Sequence, residues 1–349
     1  MKNYIYSDWY IVCTSRELKH QPIARTILEI PLVLFRGSNR KPIALLDKCP
    51  HRNVPLSQGW VRDNQIICRY HGWKFDTDGT CQEIPGLCNV RNNSKNNHKL
   101  NAISYPVIEQ DNFIWVYCQV NEEPKTQPFK FPLIKQCNFS TFYWQTKEIK
   151  AAFVNIAENF LDATHTHFVH AGLIRNQNRK NVNVQITRNA KMVEAIYLGE
   201  QNISGLIYQL LAPGCQEIVS IGRFILPSIA QLEYRTNKEE YKLFISLFLT
   251  PISENLTKFY AVVTFRWGLP KWLGKLIAVP LFYIGVQQDK KILELQARNI
   301  KKFGEEDFAS TEIDLIKPHI SYLQKMSLCD ANNLIIKDVI FKKNLIIKI

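Results

Sequence analysis

The sequence predicts an α+β fold in two parts, because its N-terminal third is all-β while the remainder mixes strands with long helical stretches. In order, Ile30–Arg36 and Pro42–Asp47 read as strands around a Gly37-Ser38-Asn39 turn. Gln65–Cys68 and Trp73–Asp76 follow, with Asp78-Gly79 closing a hairpin. Asn89–Asn101 is polar and reads as a surface loop, and Phe113–Gln119 is an apolar closing strand. Residues 121–132, with three prolines, read as a linker between domains at 1–120 and 133–349. Beyond it, Ala152–Val169 begins as a helix. Val182–Ala195, Gly205–Leu211, Ile218–Leu226, Ala230–Arg235, Lys242–Thr250 and Lys258–Trp267 read as strands. Pro280–Lys302 is a long helix, Ser310–Lys325 a shorter one, and Lys337–Ile349 an edge strand.

Chemistry concentrates at two places. The first is Cys49-Pro50-His51, then sixteen residues, then Cys68-Arg69-Tyr70-His71. Two Cys-plus-His pairs are the ligand set of a Rieske 2Fe–2S centre, in which one iron takes two thiolates and the other two imidazoles. Zinc is the alternative for two Cys and two His, but it favours Cys-x2-Cys knuckles or paired His on one helix. The stretch CPHRNVPLSQGWVRDNQIICRYHGWKFDTDGTCQEIPG resembles a Rieske domain almost residue for residue. Within it, Ile84-Pro85-Gly86 is similar to the proline loop that shields the cluster in that family.

The second place is Glu158-Asn159-Phe160-Leu161-Asp162-Ala163-Thr164-His165-Thr166-His167-Phe168-Val169-His170. Asp162 and His165 are neighbours on one helical face. His165 and His170 lie about 140° apart on a straight helix, so they share one ion only if the helix bends or ends between them. Alone, the segment reads equally as a His-rich surface turn. Two His plus one distant carboxylate is the facial triad of a non-haem Fe(II) oxygenase, with positions left open for O2.

Asn159-x2-Asp162-x2-His165-x4-His170 and Gln287-Gln288-Asp289-Lys290-Lys291-Ile292-Leu293-Glu294 resemble the catalytic segments of Rieske non-haem iron oxygenases. The nearest resemblance is to the vanillate demethylase-like enzymes and the pheophorbide and chlorophyllide oxygenase group. The resemblance implies that Cys49, His51, Cys68 and His71 hold the 2Fe–2S cluster, and that His165, His170 and Asp289 hold a mononuclear Fe(II). It implies that Asp162 bridges His71 of a neighbouring subunit to His165 within a homotrimer, and that Asn159 lies beside the iron without ligating it. It further implies a helix-grip catalytic domain, an antiparallel sheet around a long helix. His167, like His20, His98 and His319, reads as a packing or surface histidine. The sequence lacks the Arg-rich segment near the last helix, the membrane anchor and the redox Cys-x2-Cys found among relatives, which leaves the substrate subfamily open.

Helical geometry separates the two acidic candidates. Phe282, Gly285, Asp289, Ile292, Leu293, Gln296 and Ile300 share one face at 100° per residue, which points Asp289 inward. Glu294 falls on the far face with Lys290, Arg298 and Lys301. A lone buried carboxylate is costly unless paired or bound to metal. The alternative for Asp289 is a salt bridge to arginine.

Composition bounds the rest. Nine cysteines in 349 residues make no disulfide framework. Apart from the cluster pair, Cys13, Cys81, Cys88, Cys118, Cys137, Cys215 and Cys329 read as buried thiols in a reducing cytoplasm. No charged-then-apolar signal opens the chain. The net charge of +13 reads as a solvated basic surface, or as a patch that steers an acidic electron donor such as a ferredoxin. No basic helix with interleaved aromatics suggests nucleic acid. The apolar stretch at Leu269–Val286 is broken by Lys271, Lys275, Pro270 and Pro280 and is too short to span a bilayer. It reads as a core helix or oligomer contact, with peripheral membrane association the minor alternative.

The functional expectation is an oxygenase component. It takes electrons from a ferredoxin or flavin reductase and uses O2 to monooxygenate an apolar aromatic or polycyclic substrate, by hydroxylation or oxidative demethylation. The alternative is a Rieske electron-transfer protein without oxygenase activity, which needs only the first third of the chain. Respiratory Rieske proteins carry a loop disulfide at positions that here are Val54 and Tyr70. Ile207, Phe224, Ile229, Phe244 and Phe248 read as the lining of an apolar substrate pocket or equally as ordinary core.

Overall fold

The computed structural model describes residues 4–87, 98–120, 122–131, 138–176, 179–201, 205–211, 217–236, 240–330 and 340–349. The chain divides into two compact units, residues 6–131 and residues 132–349 with the first five.

The N-terminal unit is built from three small antiparallel sheets. Ile23–Ile27, Ile30–Arg36, Pro42–Leu46 and Ser104–Tyr105 form one, and Trp60–Arg62, Gln65–Ile67, Lys74–Phe75 and Cys81–Glu83 form another. In the third, Phe113–Tyr117 is the central strand and is buried throughout, which is why its sequence is apolar without alternation. Val33, Phe35, Leu45, Leu56, Ile66 and Phe75 make a core that includes Cys49 and Cys68.

Residues 122–131, expected as linker, instead pack on this unit. Trp9 Nε1 donates to the Thr126 carbonyl at 2.8 Å, Gln110 Nε2 donates to the Phe129 carbonyl at 2.9 Å, and Phe131 lies 6.0 Å from Phe113. The aromatic residues Phe129 and Phe131 give the segment something to bury. Most of the expected surface loop, residues 88–97, lies outside the described residues, as do Cys88, Cys137, Cys215 and the side chain of Cys329.

In the C-terminal unit eight antiparallel strands form one sheet. Their spatial order is Ser140–Gln145, Leu256–Phe265, Tyr241–Ser253, Ile229–Thr236, Glu217–Ile225, Met192–Gln201, Asn181–Arg188 and Phe341–Lys348. The last is the edge strand expected from the tail. Among the described residues four helices accompany the sheet: α1 Phe153–Leu161, α2 Leu206–Leu211, α3 Lys271–Phe303 and α4 Lys317–Asp330. α1 packs on the strands at 217–225, 229–236 and 241–253 and touches both α3 and α4, while α3 packs along Ser140–Gln145.

Several elements differ from the sequence reading. The strand expected over Val182–Ala195 is two strands, because Asn189 accepts the Lys191 and Met192 amides, each at 2.9 Å, and turns the chain. Gly205–Leu211, expected as a strand, is mostly α2: its run of large apolar residues suits either period. α3 begins nine residues before Pro280, which sits within it as an exposed interior proline. α4 begins at Lys317 rather than Ser310.

The hairpin at Asp76–Thr80 shows how tightly the N-terminal unit is drawn. Asp76 Oδ1 accepts the Thr80 amide at 2.8 Å, and Gly79 takes φ +80°. A Cβ at Gly79 would stand 2.1 Å from the Ala102 carbonyl oxygen. Gly79→Ala is therefore expected to destabilise this unit by about 2 kcal/mol or more, from left-handed strain plus the clash. Calorimetry should show the N-terminal transition falling; an unchanged transition would contradict the close approach.

Candidate metal centres

Two copies of one backbone loop present the cysteines and histidines of the N-terminal unit. In the first, the Asn53 amide donates to the Cys49 carbonyl at 2.8 Å and the Cys49 amide to the Val54 carbonyl at 2.9 Å. In the second, the Gly72 amide donates to the Cys68 carbonyl at 3.0 Å and the Cys68 amide to the Trp73 carbonyl at 2.8 Å. Both loops turn at a residue with positive φ, Asn53 at +59° and Gly72 at +70°. The histidine sits two residues after the cysteine in one loop and three in the other. A Cβ on Gly72 would come within 3.2 Å of Pro85, so the Ile84-Pro85-Gly86 segment does lie against this loop.

The donors sort by type. The Cys49 and Cys68 thiols are buried and in hydrogen-bonding contact. The His51 and His71 rings lie 4.6 Å apart, His51 stacks on Trp73 at 4.8 Å, and Tyr70 lies 3.8 Å from His71. Burial pushes the Cys49 thiol up to about 11, against the backbone amides of His51 and Arg52 that point at its sulfur. Burial, His71 and Arg52 together hold His51 below the usual imidazole range. Thiols grouped on one side and imidazoles on the other fit a two-iron cluster with unlike ligand pairs, better than one tetrahedral ion.

The second centre depends on where α1 stops. The helix ends at Leu161, before either histidine, and Asp162 leaves it in an extended conformation. This break lies earlier than the interval between His165 and His170 expected from the sequence. The Asp162 carboxylate then caps the following turn. Oδ1 accepts the Thr164 amide at 2.8 Å and Oδ2 accepts the His165 amide at 2.9 Å. A single 3-10 turn, His165–His167, carries the chain to His170.

With the helix broken, His165, His170 and Asp289 of α3 come together, and one donor atom from each lies within 4.8 Å of the others. Asp289 Oδ1 stands 2.9 Å from His170 Nε2 and 3.4 Å from His165 Nε2. The outer ring nitrogens are tied elsewhere. His165 Nδ1 donates to the Asp162 carbonyl at 2.8 Å, and His170 Nδ1 to Gln288 Oε1 at 2.7 Å. These bonds turn both Nε2 lone pairs toward Asp289, the arrangement an ion needs. His165 Nε2 and Asp289 Oδ1 are buried without a well-formed hydrogen bond. Burial lowers the His165 pKa, but Asp162 and Asp289 overcome it and raise it to about 9. Burial likewise opposes ionisation of Asp289, and the two imidazoles overcome it, holding the carboxyl below its usual range.

Glu294 points elsewhere, 3.7 Å from Lys290. Ile292, placed by helical geometry on the inward face, is exposed. Asn159, Asp162, His165, His170 and Asp289 all line one cavity, walled by Leu243, Ile245, Leu247, Phe282 and Val286. Of the expected pocket residues only Ile207 lines it. Phe244 points to the other face of its strand, against Phe139 and Tyr241: the period-two alternation was read one residue out of phase.

Sequence reading missed three residues here. Gln288, beside Asp289, orients His170. Arg175 and Glu200 are buried partners at 2.7 Å, and Arg175 also donates to Thr166 Oγ1 at 2.7 Å and to the Ala163 carbonyl at 3.1 Å. Ser220 donates to Glu200. This network pins the segment that carries the histidines to the sheet. A basic residue five positions after His170 was the only signal. His167 is buried, with Nδ1 against the Asn176 carbonyl, a packing histidine as expected.

Both segments that carry these centres fall within known domain families. Residues 8–94 match the Rieske [2Fe-2S] domain family, and residues 149–318 match the vanillate O-demethylase oxygenase C-terminal domain family. The dicamba O-demethylase oxygenase component of Stenotrophomonas maltophilia is 39% identical over 114 residues, covering 33% of this chain and 32% of that protein. The 4beta-methylsterol monooxygenase of Methylococcus capsulatus is 27% identical over 337 residues, covering 92% of this chain and 86% of that one. The crystal structure of dicamba monooxygenase bound to dicamba superposes with a TM-score of 0.74 at 22% identity, covering 94% of this chain and 99% of that one, a likeness of fold. The chain spans less than half the length of the first three curated relatives it matches. Its make-up is a Rieske domain followed by a non-haem iron oxygenase domain. This is the domain make-up of the Rieske non-haem iron oxygenases: the first domain is of the [2Fe-2S] Rieske kind and the second of the vanillate O-demethylase oxygenase kind.

Two outcomes follow from the second centre. Gln288→Leu should free His170 Nδ1 and weaken Fe(II) binding by about 10- to 100-fold, with the Rieske absorption unchanged. Equilibrium titration with Fe(II) checks this, and unaltered affinity would refute the orienting role. Arg175→Met should leave Glu200 buried without its partner and cost about 3–5 kcal/mol of stability in denaturant unfolding. A loss below about 1 kcal/mol would show that the pair is dispensable.

Proposed function

We propose that this chain is the oxygenase component of a multicomponent monooxygenase acting on a compact apolar aromatic substrate. The observation that carries the reading is the cavity. It places His165, His170 and Asp289 at the edge of a pocket of about 140 Å³ walled by leucine, isoleucine and phenylalanine. That volume is close to the roughly 150 Å³ of an engineered apolar cavity that admits benzene. A pure electron carrier has no use for such a pocket.

Cys49, His51, Cys68 and His71 would hold the cluster, and His165, His170 and Asp289 the Fe(II). When bound, the cluster supplies single electrons and the iron activates O2 against the substrate. The chain's own side chains do the rest. Gln288 and the Asp162 carbonyl fix which imidazole nitrogen faces the metal. The apolar walls exclude water and orient the ring, and Asn159 offers a polar group beside the metal. Tyr197 and Tyr234 add phenols to the lining, suited to a substrate with one polar substituent.

Asp162 is the proposed electron bridge from the partner subunit's His71 to His165, within a homotrimer. Its carboxylate remains partly exposed, with a side-chain exposure of 30%, even while capping its own turn. His71 is exposed as well. The electron donor would be a ferredoxin or flavin reductase with an acidic docking face, to suit a chain of net charge +13. The described cysteines Cys13, Cys49, Cys68, Cys81 and Cys118 are buried and form no disulfide among the described residues, which supports a reducing, cytoplasmic setting. No helix among the described residues is long and apolar enough to cross a membrane.

The test pairs two variants with an isotope. Reduced, iron-loaded protein is mixed with 18O2 and a panel of aromatic methyl ethers and alkylbenzenes. The expected result is one 18O atom in the oxidised product or in the aldehyde released. Asp289→Ala should lose mononuclear iron and product while keeping the reduced-cluster EPR signal; Glu294→Ala should keep all three. Retention of iron by Asp289→Ala, or loss in Glu294→Ala, would overturn the ligand assignment. A hydroxylated alkylbenzene without 18O would overturn the oxygenase reading.

A further inference from the structure

The first half of α3 is apolar on its solvent side as well as on its cavity side. Leu281, Phe282, Gly285 and Val286 line the cavity. Around the helix from them, Trp272 is 70% exposed, Leu276 65% and Tyr283 48%, with Leu269 and Ile284 exposed beside them. At 100° per residue, Trp272, Leu276 and Tyr283 fall within about 40° of one another. They therefore form one continuous ridge rather than scattered surface residues.

The charge carried by this stretch of sequence has one sign. Between Glu254 and Asp289 the sequence contains no acidic residue, yet it contains Lys258, Arg266, Lys271 and Lys275. Lys271 and Lys275 are exposed, and they lie one turn apart next to Trp272. An exposed Trp, Leu and Tyr ridge flanked by lysine is the chemistry of a helix that lies in a membrane interface. Indole and phenol rings favour the headgroup level, and lysine pairs with lipid phosphate.

We propose that this ridge docks the protein reversibly on an anionic lipid bilayer. Trp272, Leu276 and Tyr283 enter the boundary between headgroups and acyl chains, and Lys271 and Lys275 pair with anionic headgroups. The whole-chain charge of +13 strengthens the approach. α3 then carries three functions along its length: a lipid-facing ridge, a wall of the cavity, and Asp289. An apolar substrate concentrated in the bilayer would meet the protein at the helix that walls its pocket.

The test is sedimentation of the full chain with vesicles of phosphatidylcholine alone and of phosphatidylcholine mixed with phosphatidylglycerol. Binding is expected only to the mixed vesicles, weakening as salt rises. Tryptophan emission should shift to the blue on binding, and this shift should vanish in Trp272→Phe. Trp272→Ser with Leu276→Ser should cut partitioning about tenfold or more, since burial of each such side chain is worth about a factor of ten. Lys271→Glu with Lys275→Glu should remove the preference for phosphatidylglycerol. Unchanged Rieske absorption in every variant serves as the folding control. Failure of the wild type to bind mixed vesicles, or equal binding by the serine variant, would overturn the proposal. So would a smaller oligomer for the serine variant by light scattering, which would assign the ridge to contact with a second copy.

Discussion

Asp289 is the constraint around which the C-terminal unit is arranged. A largely buried carboxylate is costly in its charged form, and two imidazoles facing it overcome that cost. Bringing two imidazoles to one carboxylate requires the chain after α1 to fold back within a few residues. It does so because Asp162 ends the helix and uses its own carboxylate to cap the next turn. It also requires the segment to be held to the sheet, and the Arg175–Glu200 pair does that from the far side. The termination of α1, the placement of α3 and the buried ion pair are thus consequences of presenting three lone pairs to one point.

The two centres are held by different means, and this explains how legible each was. In the N-terminal unit the backbone does the work. Each cysteine loop closes on itself through two main-chain hydrogen bonds and one residue with positive φ. Loops of that kind leave a local sequence signature, so CPHRNV and CRYHGW could be read directly. In the C-terminal unit the positions depend on side chains far apart in sequence. Gln288 reaches His170 across 118 positions, and Glu200 reaches Arg175 across 25. Spacing in one sequence cannot announce such pairs, and both were missed, although the ligand types themselves stood out.

Errors in the fold reading have the same physical origin. Strand runs such as Tyr241–Ser253 are buried on both faces over most of their length, so the apolar pattern did not say which face meets the cavity. The phase was decided by packing, and Leu243, Ile245 and Leu247 face inward rather than Phe244 and Phe248. The α2 segment failed differently: six residues are too few to distinguish a helix period from a strand period. The linker failed because proline count outweighed Phe129 and Phe131, whose burial ties the segment to the N-terminal unit.

α3 shows what happens when one element serves several ends. Its hydrophobicity is spread around much of its circumference in the first half, while in the second half Lys290, Lys291, Arg298, Lys301 and Lys302 share the outer face with exposed Ile292 and Leu295. A helix serving only as core would bury one stripe and charge the other. The stripe facing the cavity is fixed by Asp289 and by the substrate walls, so it does not account for Trp272 and Leu276, which lie about 100° and 140° around the helix from Asp289. Those side chains carry an unfavourable hydration term that folding of this unit does not relieve. Such a term persists where a second surface removes it, and the absence of acidic residues between Glu254 and Asp289 sets the sign of the surface that fits. The position of Asp289 at the end of that stretch then links the surface to the chemistry. The same rigid helix that holds a metal-binding carboxylate at one level presents the ridge three turns earlier, so docking there would leave the geometry of the centre undisturbed.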